Sequence, residues 1–288
     1  MNTCRASFAP AALLRTTKTC VPSKTAVSLA ARRAHAVPLT INRSSQFAKR
    51  ASRAYHIPVR AGWNDFTWSS AKVVSNAPAT PEGGLRSISL DVGVDAVNAY
   101  ALAGQFIQIR TSADGKPAFI AIASAPGARA GTFELLVKSQ DGTAGEICAA
   151  DVGASLEVSP AMGKGFVLDG VREKSHALLF ATGSGISPIK ALLESGALAG
   201  REVTLYYGTQ DEAHTAFLEQ SNAWGCTVVR VYSEDNGRHV QDALRDDLSA
   251  IDASNSFAVL CGQKDMTTDV IDILTTAGVP KEDCIMNF

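Results

Sequence analysis

The chain has 288 residues, 46% of them hydrophobic, and its 27 Lys and Arg nearly balance its 28 Asp and Glu. That balance conceals a segregation, because eleven basic residues and no acidic one precede Asp65. The rest carries 16 basic against 28 acidic residues, which argues against nucleic acid as a partner. No run is apolar and long enough for a transmembrane helix or a secretory leader.

The first 61 residues are basic, hydroxylated and acid-free, the composition of an organelle transit peptide rather than of a folded unit. A disordered nucleic-acid arm is the alternative, but the basic residues are dispersed and aromatics are scarce. Ser and Thr abundance, with Val59-Arg60-Ala61 resembling a plastid-precursor cleavage site, favours import into the chloroplast stroma. The arginine content keeps the mitochondrion as the alternative. Cleavage after Ala61 would leave 227 residues.

From Thr67 to Phe166 short β-forming runs alternate with glycine turns. Strands are predicted at 71–75, 85–92, 106–110, 118–122, 131–137 and 155–158, with one short helix at 145–150. Six such strands predict a small antiparallel β-barrel, spanning 62–168. From about Ser175 the rhythm changes to strand, helix, strand. Strands are expected at 176–181, 202–207, 227–232 and 256–261, and helices at 187–195, 211–220, 240–248 and 266–277. Phe257-Ala258-Val259-Leu260-Cys261 is the continuous apolar run of a buried parallel strand. The second domain, 169–288, therefore reads as a doubly wound α/β parallel sheet with ligands at the strands' carboxyl ends.

Three of those strand ends carry loop chemistry. In Phe180-Ala181-Thr182-Gly183-Ser184-Gly185-Ile186-Ser187-Pro188 a strand feeds two glycines and then a helix, the arrangement that offers backbone amides to a phosphate. Gly208-Thr209-Gln210-Asp211 ends the next strand, where Thr209 or Asp211 can cap a helix. Cys261-Gly262 ends the last. The cysteines Cys148, Cys226, Cys261 and Cys284 are too dispersed for a metal site, and two more lie in the leader. His176, His214 and His239 have no motif partners and are assigned no catalysis.

The order of these segments resembles the ferredoxin–NADP reductase superfamily from about Thr67 to Phe288. Gly104-Gln105-Phe106 is similar to that family's Gly-Gln-Phe strand start, and Ile122-Ala123-Ser124-Ala125-Pro126 to the end of its flavin strand. Ser159 to Phe166 resembles its exit from the barrel, and Thr182 to Pro188 its Gly-Thr-Gly-x-x-Pro pyrophosphate loop. The resemblance implies FAD in the barrel, NADH or NADPH in the α/β domain, and electron transfer to an electron-carrier protein or small-molecule acceptor. It also implies that Thr182, Gly183, Ser184, Gly185 and Ile186 meet the dinucleotide pyrophosphate, with Gly208, Thr209, Gln210 and Asp211 around its adenosine half. Cys261 and Gly262 would shape the meeting point of nicotinamide and flavin, and the terminal Phe288 would stack on the flavin. These two, Cys261 and Phe288, are the candidate catalytic positions, neither as a nucleophile.

The match breaks at the flavin strand. The family's Arg-x-Tyr-Ser falls on Ala118, Ile120 and Ala121, which removes a guanidinium, an aromatic surface and a hydroxyl. Ile120, Ala121 and Ile122 are left to hold the ring through backbone and apolar surface. Gly145-Glu146-Ile147-Cys148 resembles the flavin-phosphate turn Gly-x-x-Ser, with a thiol for the hydroxyl. Asp211 and Glu212 would repel a 2′-phosphate and accept from a ribose hydroxyl, favouring NADH over NADPH. The rival expectation is a non-catalytic nucleotide-binding or assembly protein on a reductase scaffold.

Overall fold

A computed structural model describes residues 66–128 and 131–287. The expected leader and Phe288 lie outside the described residues. The first half forms β1 (Ser69–Pro78), β2 (Leu85–Asp91), α1 (Val94–Ala99), β3 (Phe106–Arg110), β4 (Ala118–Ala121), β5 (Thr132–Lys138), α2 (Thr143–Ala149) and β6 (Ser155–Val158). Its six strands pair in the order β4-β3-β6-β1-β2-β5, antiparallel throughout. The edges meet just past β4, where Ile122 bridges Leu135 and the Ala123 amide donates to the Glu134 carbonyl at 2.7 Å. That contact closes the sheet into a barrel. Alternation then decides the two faces of β5: Phe133, Leu135 and Val137 fill the barrel, and Leu136 faces outward into a second core.

The second half contains β7 (His176–Thr182), α3 (Ile186–Glu194), β8 (Glu202–Thr209), β9 (Thr227–Tyr232), α4 (Ser233–Asn236), α5 (Val240–Asp247), β10 (Ser256–Cys261), α6 (Lys264–Thr276) and β11 (Cys284–Met286). The sheet order is β11-β10-β7-β8-β9, all parallel. Ala177, Leu179 and Ala181 of β7 pack with Ile186, Ile189 and Leu192 of α3 on one face. Leu178 and Phe180 pack with Leu244 of α5 and Val270 and Leu274 of α6 on the other. Both faces are covered, so the strands read as apolar runs, and the order reverses between β7 and β10.

The two-domain architecture expected from the sequence is the one that forms. One expected helix does not: residues 211–220 make turns rather than a helix. The Asp211 carboxylate accepts from the His214 amide at 2.9 Å, and the Thr215 hydroxyl donates to the Asp211 carbonyl at 2.8 Å. Phe217 then sits at φ 59°, a left-handed conformation that stops helix propagation and buries its ring in the core beside α3. Helices α1 and α4 and strand β11 form without having been expected.

Candidate functional site at the strand carboxyl ends

The carboxyl ends of β7 and β10 lie side by side, and glycines let them touch. A methyl group on Gly185 would lie 2.2 Å from the Cys261 carbonyl oxygen, and one on Gly262 would lie 2.0 Å from the Thr182 hydroxyl. The Thr182 hydroxyl accepts from the Gln263 amide at 2.9 Å, joining the two loops. Gly183, by contrast, has open space around it and a φ of 51°. Two of the glycines therefore serve the meeting of strands, and Gly183 serves the turn into α3.

Above these ends lies a cavity of about 1290 Å³, bordered on its other side by the barrel. That exceeds the roughly 300–1,000 Å³ of a pocket for one drug-sized ligand. Thr182, Gly183, Ser184, Gly185, Gly208, Thr209, Gln210, Cys261 and Gly262 line it from the sheet; Ile120 and Ala121 line it from β4. Helix α3 fixes the two sides relative to each other. Its Ser187 hydroxyl donates to the Ala121 carbonyl at 3.2 Å. Its buried Lys190 ammonium bonds the Glu134 and Glu194 carboxylates, each at 2.9 Å, and the Ala123 carbonyl at 3.5 Å.

Several expected site residues lie elsewhere. Ile186 is buried in the core and its amide donates back within the turn, to the Gly183 and Ser184 carbonyls. Ile122 is buried where the barrel closes, and Ile147 is buried in the barrel core. Cys148 is buried too, its thiol directed to the Val137 carbonyl at 3.8 Å and pushed up in pKa by burial. A methyl on Gly145 would lie 2.3 Å from the Gln140 carbonyl oxygen, so this glycine is required by packing. Glu146 accepts from the Thr111 hydroxyl. Of this turn it is Ala144 that reaches the cavity. Asp211 does not line the cavity; its carboxylate is bonded to the His214 ring at 2.6 Å. That bond holds Asp211 below the usual carboxylate range and raises His214.

Other residues reach the cavity without having been expected. Phe119, Lys138, Ser139 and Gln140 come from β4 and the end of β5. His214, Ser233, Glu234, Arg238 and His239 surround the end nearest β8 and β9. There Gln210 donates its amide to the Glu234 carboxylate, and Arg238 pairs with Asp246. Burial pushes the Cys261 thiol up to about 12, so it remains protonated at neutral pH. Among the described residues no group of three or more His, Cys, Asp and Glu is arranged to hold a metal ion.

An open parallel sheet with a glycine turn at its switch point defines a dinucleotide-binding class of protein. Residues 179–272 match the Oxidoreductase NAD-binding domain family. None of the curated protein sequences matches the chain. Solved structures with the same fold include a ferredoxin NADP+ reductase from Neisseria gonorrhoeae with bound FAD and NADP, 19% identical with a TM-score of 0.64, over 73% of this chain and 92% of that one. The ferredoxin-NADP+ reductase of Plasmodium falciparum with 2'P-AMP is 18% identical over 74% and 95%, with a TM-score of 0.60. The flavohem-like FAD/NAD binding domain of nitric oxide dioxygenase from Vibrio cholerae is 19% identical over 75% and 96%, with a TM-score of 0.62. The chain thus shares the two-domain fold of ferredoxin–NADP reductases, and residues 179–272 within its second half match an oxidoreductase NAD-binding domain.

Proposed function

We propose that this protein is a flavin-dependent oxidoreductase that takes electrons from a reduced nicotinamide dinucleotide and passes them to a separate acceptor. The observation that carries this reading is the single cavity shared by the Gly183–Gly185 turn and by β4 and the end of β5. The residues present fit a flavin: Ile120, Ala121 and Leu136 offer apolar surface, and Lys138 offers a cation for its phosphates, where Ala118 has no charge. Gly183, Ser184 and Gly185 would hold the dinucleotide's pyrophosphate at the start of α3. A bound flavin supplies the capacity to accept electrons from a nicotinamide and release them onward.

The chain's own task is placement. Cys261 stays neutral and packs at the meeting point, and Gly262 leaves room beside it. The Lys190–Glu134 pair and the Ser187 bond set the distance between the flavin strand and the glycine turn, on which reaction geometry depends. Preference for NADH rests on Glu234, which lines the far end of the cavity and repels a 2′-phosphate, rather than on Asp211, which is engaged by His214. The Arg238 guanidinium at the same end opposes that repulsion. The acid-free leader supports action in the chloroplast stroma, checked by following a fluorescent fusion of the leader.

The test is an absorbance spectrum of the purified protein with and without added FAD, followed by anaerobic NADH or NADPH. The reading expects flavin bands that bleach, faster with NADH. Folded protein that binds dinucleotide but no flavin would favour a non-catalytic nucleotide-binding protein, which the loss of polar side chains at Ala118, Ile120 and Ala121 supports.

A further inference from the structure

Two buried tyrosines are neighbours on β8, and alternation sends them to opposite faces of the sheet. Tyr206 stacks on Phe180, with ring centroids 4.9 Å apart, and its hydroxyl donates to the Asp247 carboxylate at 2.9 Å. Tyr207 is 1% exposed and lies in the core beside α3. A phenylalanine would fill that space without burying a hydroxyl, which is costly unless the group is bonded. The Tyr207 oxygen has a partner on each side. It accepts from the Ala216 amide at 3.3 Å, and the hydroxyl donates to the Gly183 carbonyl at 3.5 Å. Burial pushes its pKa up, so the proton of that second bond is retained at neutral pH.

Gly183 is the residue of the glycine turn that packing leaves free, with open space around it and a φ of 51° that glycine adopts without strain. Sterics alone therefore do not fix the plane of the Gly183–Ser184 peptide. Its carbonyl is held from the core side, by the Tyr207 hydroxyl and by the Ile186 amide. In a trans peptide the amide points away from the carbonyl, so the Ser184 N–H turns toward the cavity that Ser184 lines. We infer that Tyr207 is a positioning residue for dinucleotide binding, its hydroxyl aiming the Ser184 amide at the pyrophosphate. The bond from Ala216 ties the same oxygen to the turns at 211–217, whose His214 also lines the cavity. Tyr207 thus joins the glycine turn to the neighbouring strand's loop without touching the ligand. This deepens the dinucleotide reading proposed above and rests on it.

The experiment compares the full-length protein with Tyr207→Phe and Tyr206→Phe. Each is titrated with ADP by calorimetry, and with adenosine, which lacks the phosphates, as a competitor. Tyr206→Phe removes a buried tyrosine's hydroxyl bond on the other face of the same strand and serves as the structural control. Tyr207→Phe is expected to weaken ADP binding about tenfold, as for one hydrogen bond to a charged group, with adenosine affinity unchanged. Tyr206→Phe should leave both affinities at the parent's values. Unchanged ADP affinity in Tyr207→Phe would overturn the assignment while leaving the dinucleotide reading intact. Loss of ADP and adenosine binding together, or an equal loss in Tyr206→Phe, would show that the hydroxyl serves the fold alone and would also overturn it. A parent protein that binds neither ADP nor NAD+ would overturn both the assignment and the reading beneath it.

Discussion

At the scale of single residues, the glycines of the two strand ends make unlike contributions, and substitution separates them. Gly185 is pressed against backbone of the β10 end, which cannot swing aside as a side-chain tip can. Gly185→Ala should therefore destabilise the protein by about 2–3 kcal/mol, at the upper end for overpacking, and lower its melting temperature accordingly. Gly183→Ala meets no atom and incurs only the left-handed backbone, about 1–2 kcal/mol. Equal losses in the two variants would contradict this geometry. The Cys261 thiol makes a second prediction, with its sign set by burial. Its pKa near 12 favours the neutral form, so at pH 8 about one molecule in 10⁴ carries a thiolate. Alkylation by iodoacetamide, mapped by mass spectrometry, should be very slow at pH 8 and rise about tenfold per pH unit above it. Rapid modification at pH 7 would show that the thiol is not held neutral.

Among the elements, the packing of α3 on the barrel decides the shape of the site. Lys190 and Glu134 have side chains only 4% and 10% exposed, and they join an α/β helix to a barrel strand. Lys190→Met leaves the Glu134 carboxylate buried without its cation and should cost about 3–5 kcal/mol in urea unfolding. The double variant Lys190→Met, Glu134→Leu should recover most of that, because an apolar pair of similar size avoids desolvating charge. Additive losses would mean that the two side chains do not interact. Neither the pair nor its spacing across the domains is visible in sequence, since 56 residues separate the partners. What was legible was local: apolar runs and glycine turns gave ten of the strands, and the glycine pattern singled out the ends of β7, β8 and β10. The segment 211–220 misled because its composition suits a helix, whereas Asp211 folds back on His214 and Phe217 turns left-handed to reach the core. Lys138, Glu234 and Arg238 went unseen for another reason. They sit on strand ends and loops without a glycine signature, and only the fold brings them to the cavity.

For the whole molecule, the hydrophobic cores set how the two halves respond together. Leu85, Ala103, Leu136 and Phe166 of the barrel share one cluster with Leu179, Leu192, Leu205 and Phe257 of the α/β sheet. Unfolding either half alone would open that cluster and strand the Lys190–Glu134 pair, so partial unfolding is costly. Calorimetry of the protein should accordingly show one cooperative transition, with equal calorimetric and van't Hoff enthalpies. The cavity lies against the same junction, so a dinucleotide bound there stabilises both halves at once. At one hundred times its dissociation constant the ligand adds about 2.7 kcal/mol, which for a body of this size raises the single transition by roughly 5–10 °C. Two transitions, of which only one moved with NADH, would show that the barrel and the sheet fold independently. In that case the shared cluster would be a contact surface rather than a common core, and the distance between β4 and the Gly183–Gly185 turn would be free to vary.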